Sequence, residues 1–111
     1  MKVIYHKPWT ILPSWITTKD SDVWMEKINK NVEWEQPIVR VYGSSYKIPR
    51  LTSFLADKNI CYRYSGCDHY GYGWPDWFCP LLKLVNLSCE VEFNGCLLNF
   101  YRDGLDRMGW H

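Results

Sequence analysis

Three polar side chains near the end of the sequence could bind a ligand or a metal ion. Asn99 and Tyr101 stand two residues apart in an otherwise apolar segment, residues 96–101. In a β-strand this spacing places both side chains on one face. Because a buried amide without a partner costs about 1–3 kcal/mol, we expect a polar group to meet Asn99. His111 could bind a metal ion, although a lone terminal histidine is more often an exposed residue.

Two tyrosines form a second group with chemical potential. Tyr62 and Tyr64 alternate along a predicted strand, residues 60–66, so their rings share a face, and Ser65 is their neighbour. A ring face can stack on a nucleic-acid base, which contributes about 1–3 kcal/mol per base. Tyrosines in a strand also serve as ordinary cross-strand packing. The residues alone leave both interpretations open.

Composition excludes several classes of protein. Hydrophobic residues make up 47% and aromatic residues 17% of the 111 residues, which is unlike a disordered tail. The net charge of +1 excludes a strongly basic surface, so any contact with nucleic acid must use local clusters and rings. No apolar run approaches the ~20 residues of a membrane span, and no secretory leader is visible. We therefore expect a reducing, cytoplasmic-type compartment, or the nucleus in a eukaryote, and no secretion.

The cysteines predict neither a zinc site nor a disulfide framework. Their spacing contains no CxxC pair, and their number is odd. We expect reduced and mostly buried thiols, as is usual for free cysteine. The five positions are Cys61, Cys67, Cys79, Cys89 and Cys96.

Hydrophobic periodicity predicts two helices. The first spans residues 21–31, with Asp20 or Ser21 as its N-cap and an apolar face that docks on a sheet. The second begins at Pro80, a residue suited to the first turn, and continues to about Cys89. This second helix is apolar enough to be largely buried.

The remaining chain predicts short strands and turns. Prolines interrupt the opening segment, which favours edge strands, and a ring-rich loop separates Gly66 from Pro80. A strand at 37–42 runs into a turn at 43–45. Further extended segments are expected at residues 48–51, 60–66 and 96–101.

The last fifteen residues, LLNFYRDGLDRMGWH, resemble a stretch of the AlkB family of Fe(II)/2-oxoglutarate-dependent dioxygenases. In that family a strand of pattern L-x-N-x-Y precedes a polar turn and an H-x-D motif. Upstream, the order IPR, YxYSG, a Trp/Pro-rich loop and a helix that opens with Pro also follows the family, especially its branch acting on double-stranded DNA. The chain is identified as the N-terminal part of such an enzyme, ending at the first His of H-x-D.

The resemblance implies an α+β fold. A lid and helices would accompany the first strands of an incomplete double-stranded β-helix, or jelly roll. The single domain, residues 1–111, would comprise an N-terminal extension and helix (1–36), a nucleotide-recognition lid (37–79), and a helix with the first core strand (80–111).

The resemblance also implies where the cofactors bind. His111 falls at the first ligand of a two-His-one-carboxylate iron(II) site, which leaves coordination positions open for 2-oxoglutarate and oxygen. Asn99 and Tyr101 match positions that hydrogen-bond the 2-oxoglutarate carboxylates. His6 and His69 have no neighbours at ligand spacing and are expected to be structural.

For the substrate, the resemblance implies alkylated DNA or RNA. The family flips the damaged base out of the stack, and Tyr64 matches the ring that sandwiches it. Tyr62 and Ser65 would line the same pocket. Tyr42 matches the tip of a hairpin that fills the gap left by the flipped base. Arg50 would contact the substrate, for example at a phosphate; in any protein of this charge it would otherwise be a solvated surface residue.

The Asp of H-x-D, the second His and the 2-oxoglutarate-binding Arg do not occur after His111. We therefore expect this chain by itself to be inactive and marginally stable. The sequence leaves open whether the chain acts as an enzyme. One alternative is half of a split enzyme, in which a second polypeptide completes the barrel. Another is a non-catalytic fragment that binds nucleic acid.

Overall fold

The computed structural model describes residues 3–6, 8–64 and 66–109. The chain divides into two compact units, Met1–Val32 and Glu33–His111, which are considered separately. The strands that pair within the described residues are all antiparallel, and together with two helices they confirm the α+β class.

The first unit contains a short hairpin and a helix. Strands β1 (Ile4–His6) and β2 (Trp9–Ile11) pair, as expected for a proline-interrupted opening segment. Helix α1 spans Thr18–Asn31 and begins earlier than predicted. Neither Asp20 nor Ser21 is the N-cap. Thr17 has extended backbone and its hydroxyl accepts a hydrogen bond from the Asp20 N–H at 3.1 Å, which satisfies a donor of the first turn.

The second unit opens with a hairpin of strands β3 (Ile38–Val41) and β4 (Ser44–Lys47). The two turn residues, Tyr42 and Gly43, have φ values of 50° and 79°. Positive φ at both positions is the signature of a type I′ turn, whose twist matches that of the flanking strands. The predicted strand is confirmed as β3, but the turn predicted at residues 43–45 is wrong for Ser44 and Ser45, which pair with β3 as part of β4. The Tyr42 ring is fully exposed at the tip.

A pairing of distant segments forms the centre of this unit. Strand β5 (Leu51–Ala56) pairs antiparallel with the last strand, β8, although the two are far apart in sequence. β8 spans Gly95–Phe100, within one residue of the prediction. Two residues of β5, Thr52 and Ala56, are buried, and further buried side chains of this unit, those of Ile48, Arg50 and Phe78, lie outside the strand.

Strands β6 (Cys61–Tyr64) and β7 (Cys67–Tyr70) form the next hairpin. The prediction of a loop between Gly66 and Pro80 is thus wrong for residues 67–70, because pairing with β6 makes them a strand. The ion pair between Arg63 and Asp68, at 2.9 Å, joins the two strands. Beyond this hairpin, the rings of Trp74 and Phe78 stack at 5.5 Å. This part of the ring-rich segment packs on itself.

Helix α2 spans Cys79–Cys89 and has Pro80 in its first turn, as predicted. Its expected burial is wrong: none of its residues is buried, and no other described helix or strand lies closely against it. The expected burial of the thiols is also wrong, since Cys61, Cys79 and Cys89 are exposed. Neither α1 nor α2, the helices of the described residues, has the length and apolar character needed to cross a bilayer.

Candidate active site

One face of the β5–β8 pair carries the polar residues that the sequence singled out. Directly opposed residues of antiparallel strands project their side chains to the same side, so Thr52 lies beside Asn99 and Phe54 beside Leu97. Arg50 precedes Thr52 by two residues, and its Nε donates a hydrogen bond to Asn99 Oδ1 at 3.1 Å. The polar partner expected for Asn99 is therefore present, and it is Arg50.

Arg50 is only 5% exposed, so the expectation of a solvated side chain is wrong. A second N–H of Arg50, on Nη1, donates to the backbone carbonyl oxygen of Arg107 at 3.4 Å, and the guanidinium lies 5.9 Å from the centre of the Tyr64 ring. The ion pairs found within the described ranges do not involve Arg50. Its partners there are an amide, a peptide carbonyl and a ring, all of them neutral. Such a buried position does not suit a contact with the outer surface of a nucleic acid.

A row of aromatic rings continues from this face. The Phe54 and Tyr62 rings lie 5.9 Å apart with 20° between their planes, and the Tyr62 and Tyr64 rings lie 6.1 Å apart with 15° between theirs. The predicted shared face of Tyr62 and Tyr64 is thus confirmed. His69 approaches Phe54 from β7 at 5.8 Å and contributes to packing. Tyr62 remains 43% exposed, so part of the row is open to a ligand.

The segment after β8 returns to the same place. The Arg107 N–H donates to the Pro49 carbonyl oxygen at 2.7 Å, and the Tyr64 hydroxyl approaches Met108 Sδ at 3.6 Å. Together with the Arg50 contact to Arg107, these bonds fix residues 107–108 beside the Tyr64 ring. Met108 precedes His111 by three residues in the sequence.

A compact turn makes this return possible. The Asp103 carboxylate accepts a hydrogen bond from the Leu105 N–H at 2.9 Å, a typical aspartate turn. Arg102 and Asp106 form a bidentate ion pair, with Nε to Oδ2 at 2.7 Å and Nη2 to Oδ1 at 3.0 Å. Hydrogen bonds from the Arg102 side chain and backbone lower the pKa of Asp106 to about 2. The Arg102–Asp106 ion pair of this turn is therefore fully charged at neutral pH.

In the part of the chain that it describes, the structure shows few or no contacts for the other predicted site residues. Tyr101 lies just beyond β8, is 46% exposed, and makes no hydrogen bond within the described residues. Tyr42 projects from the tip of the β3–β4 hairpin. Ser65 and His111 lie outside the described residues, and the remaining His, Cys, Asp and Glu residues that the structure describes form no cluster able to hold a metal ion.

Comparison with known proteins identifies the family. The 2OG-Fe(II) oxygenase superfamily model matches residues 8–111. The chain belongs to this superfamily. Among curated proteins it is 32% identical over 98 residues to the DNA oxidative demethylase ALKBH2 of Arabidopsis thaliana, a match covering 84% of this chain and 31% of that protein.

A second AlkB relative supports the same conclusion. The chain is 30% identical over 105 residues to the alpha-ketoglutarate-dependent dioxygenase alkB homolog 3 of Mus musculus, covering 91% of this chain and 35% of that protein. It thus spans about a third of the length of the curated relatives that it matches. The resemblance to the AlkB branch of the superfamily, drawn from the sequence motifs, is confirmed.

An oxygenase of this superfamily uses iron(II) and 2-oxoglutarate, and the β5–β8 face fits the second of these. The carboxylates of 2-oxoglutarate need hydrogen-bond donors from the protein. The amide of Asn99 has such donors, because its oxygen is already occupied by Arg50 while its nitrogen makes no hydrogen bond within the described residues. The Tyr101 phenol can supply another. For iron, His111 is the candidate ligand of this chain, and it lies outside the residues that the structure describes.

Three residues of the site were not singled out from the sequence. Thr52 and Phe54 follow Arg50 at alternate positions of β5, so the period of a strand could have placed them on the Asn99 face. The Thr52 hydroxyl is buried and has no hydrogen-bond partner within the described residues. Nothing local could have indicated Met108, since its contact with Tyr64 depends on the path of the chain after β8.

Proposed function

We propose that this chain supplies the nucleotide-facing and cosubstrate-binding part of an AlkB-type dioxygenase that oxidatively removes alkyl groups from nucleic-acid bases. The main support for the proposal is that three parts of the chain meet at Arg50. One buried guanidinium contacts Asn99, the Tyr64 ring and the backbone of Arg107. In an AlkB enzyme these three elements correspond to the cosubstrate contact, the base-stacking ring and the segment that leads to the first iron ligand.

In this proposal Asn99 and Tyr101 donate hydrogen bonds to the carboxylates of 2-oxoglutarate, and His111 is an iron ligand. When bound, iron(II) and 2-oxoglutarate would supply an oxidation driven by dioxygen: one oxygen atom hydroxylates the alkyl carbon, which then leaves the base as an aldehyde, and the other ends in succinate, formed with carbon dioxide from 2-oxoglutarate. The role of the protein is to hold the base so that its alkyl group faces that centre. β5 and β8 would be the first strands of the family's jelly roll, with residues 80–111 as helix and first core strand.

The substrate is proposed to be an alkylated base flipped out of DNA or RNA. A flipped base needs a stacking surface, and the nearly parallel Tyr62 and Tyr64 rings offer one beside the β5–β8 face. Residues 37–79 would form the lid over this base, with Ser65 as a lining residue. Tyr42, fully exposed at a type I′ turn, has the position of a side chain that could fill the vacated gap in a duplex. Arg50 acts beneath this surface rather than at a phosphate.

Three variants of the natural protein that contains this chain test the proposal. His111→Ala is expected to abolish 2-oxoglutarate-dependent demethylation of a methylated oligonucleotide. Tyr64→Leu is expected to raise KM for the oligonucleotide about 5- to 150-fold, the equivalent of losing one base–ring stack. Tyr72→Leu is the matched control, because Tyr72 is 82% exposed and lies in none of the ring contacts of the site.

The readouts are release of formaldehyde and consumption of 2-oxoglutarate, measured with folded protein checked by circular dichroism. Undiminished turnover by His111→Ala would refute its assignment as an iron ligand. An unchanged KM in Tyr64→Leu would show that the aromatic row does not stack on the substrate base. The control variant should match the wild type in both parameters.

A further inference from the structure

The orientation of the Asn99 amide decides what it can bind. One end of an amide is an acceptor oxygen and the other is an NH2 group with two donors. A guanidinium carries donors alone, so the atom that faces Arg50 Nε at 3.1 Å must be the amide oxygen. Rotating the amide by half a turn would set its NH2 group against the N–H of Arg50. The contact with Arg50 therefore selects one of the two orientations.

Arg50 cannot easily adjust to the other orientation. Its side chain is 5% exposed, and its position is also determined by the Arg107 carbonyl oxygen and the face of the Tyr64 ring. A planar guanidinium with three contacts in different directions loses at least one of them when it rotates. Asn99 thus meets a donor that is already fixed by the surrounding structure.

The same geometry leaves the Asn99 nitrogen free. Within the described residues, Nδ2 donates no hydrogen bond, and Thr52 Oγ1 is the atom found buried without a partner. Because Nδ2 is neither bonded nor buried there, its two N–H groups remain available to a ligand. Two donors side by side suit an anionic oxygen, and they repel a cation.

We propose that Arg50 is a positioning residue that holds the Asn99 amide with its NH2 group directed at a carboxylate of 2-oxoglutarate. This inference rests on the proposed function, and it assigns to Arg50 a task distinct from substrate contact. The arginine acts through Asn99 and does not touch the cosubstrate itself. Its charge is less important than its fork, because a lysine ammonium cannot make the same set of directed bonds.

The test compares Arg50→Lys with Arg63→Lys in the natural protein, with Zn(II) in place of iron(II) so that binding is measured without turnover. Arg63 is a matched control, since it lies in strand β6 and its side chain is 69% exposed. Calorimetry gives the dissociation constant for 2-oxoglutarate. Nuclear magnetic resonance of the Asn99 side-chain NH2 group reports its orientation and its contact with the ligand.

We expect Arg50→Lys to raise the dissociation constant for 2-oxoglutarate about 10- to 100-fold, as for other residues that orient a ligand-binding group. Arg63→Lys should change it less than about twofold, because surface ion pairs contribute little. In the wild type both Asn99 NH2 signals should shift on addition of 2-oxoglutarate. A folded Arg50→Lys variant that binds 2-oxoglutarate as tightly as the wild type overturns the inference, and so do wild-type NH2 signals that the ligand leaves unchanged.

One further measurement separates the two proposals and does not need a folded variant. In the wild type without ligand, hydrogen exchange of the Arg50 Nε–H should be slow, because this group is buried and bonded to Asn99. Rapid exchange would overturn the orientation argument whatever the enzyme binds. Slow exchange in a protein that fails to bind 2-oxoglutarate would instead support the amide orientation and contradict the proposed function.

Discussion

Replacing Asn99 by aspartate should make the protein more stable and at the same time unable to hold its cosubstrate. Asp has nearly the shape of Asn, but both of its outer atoms are acceptor oxygens and it carries a negative charge. One oxygen can keep the 3.1 Å contact with Arg50 Nε, which becomes charge-assisted on both sides. The other replaces the NH2 group with an anionic oxygen.

The size of the stability change follows from the Arg50 contacts. The Arg50–Asn99 hydrogen bond already has one charged partner, and such bonds contribute about 1.5–3 kcal/mol; a carboxylate at position 99 would add the attraction between opposite charges, part of which is offset by removing the carboxylate from water. Arg50 is buried and has neutral partners within the described residues, so Asp at position 99 would give it its first counter-ion there. We therefore expect Asn99→Asp to raise the free energy of unfolding by about 1 kcal/mol near pH 7, the upper end of the net contribution of partly accessible ion pairs. For a domain of this size the unfolding midpoint would rise by about 4–8 °C.

Cosubstrate binding should change in the opposite direction. The new carboxylate would face a carboxylate of 2-oxoglutarate, and like charges in close contact cost several kcal/mol. A loss of at least about 100-fold in affinity is expected. Asn59→Asp is the control, because Asn59 is exposed and has a positive φ that aspartate also tolerates.

The assay is thermal unfolding by calorimetry together with 2-oxoglutarate titration of the same samples. The gain in stability should disappear as the pH falls below about 4, where the aspartate protonates in the unfolded chain. A destabilised Asn99→Asp variant would show that Arg50 does not face the amide oxygen. Undiminished cosubstrate affinity would show that the Asn99 nitrogen is not a cosubstrate contact.

Three further substitutions test the scaffold. Gly71→Ala should destabilise the protein by about 2–3 kcal/mol in urea unfolding, because the added methyl group would overlap backbone atoms of the turn between β5 and β6. The control Gly104→Ala, whose methyl group meets open space, should be nearly neutral, and equal effects of the two variants would contradict this packing. Glu90→Gly should stabilise by about 0.5–1 kcal/mol, since residue 90 ends α2 with φ of 56°, a conformation that glycine adopts without strain; a lower unfolding midpoint would argue against that cap. Asp106 has a folded-state pKa of about 2, lowered from 3.8. The Arg102–Asp106 ion pair should therefore stabilise the folded protein fully above about pH 4 and lose this effect as the pH falls toward about 2. Asp106→Asn should remove this part of the pH dependence, and an unaltered acid-unfolding curve would contradict the assignment.

Several elements could be predicted from sequence because their determinants are local. The spacing of apolar residues and a proline in the first turn indicated helix α2 to within one residue. The alternation around Asn99 indicated β8, and the alternation of Tyr62 and Tyr64 placed both rings on one face. Each of these patterns spans a few residues, and strand or helix geometry alone converts it into a shared face.

Some local predictions were wrong because several neighbouring residues can form the same structural feature, or because a distant partner was needed. Thr17, Asp20 and Ser21 can all cap a helix, and the structure uses Thr17 because its hydroxyl reaches a free N–H of the first turn. Residues 67–70 look like part of a flexible, glycine-rich loop. They become strand β7 because β6 provides a partner for their backbone. The burial of α2 was overestimated because an apolar composition does not determine which surface covers a helix.

The sequence by itself determined the AlkB-type motif and indicated α2 and strands β3, β6 and β8, whereas β4, β7 and most of β5 were not predicted. Tertiary structure alone decided that Arg50 is buried and joins Asn99, Tyr64 and Arg107. The physical reason is the sequence distance of these contacts: Arg50 and Asn99 are 49 residues apart and meet through the pairing of β5 with β8. No local period encodes that pairing, so the amide acquires its orientation only when the chain folds.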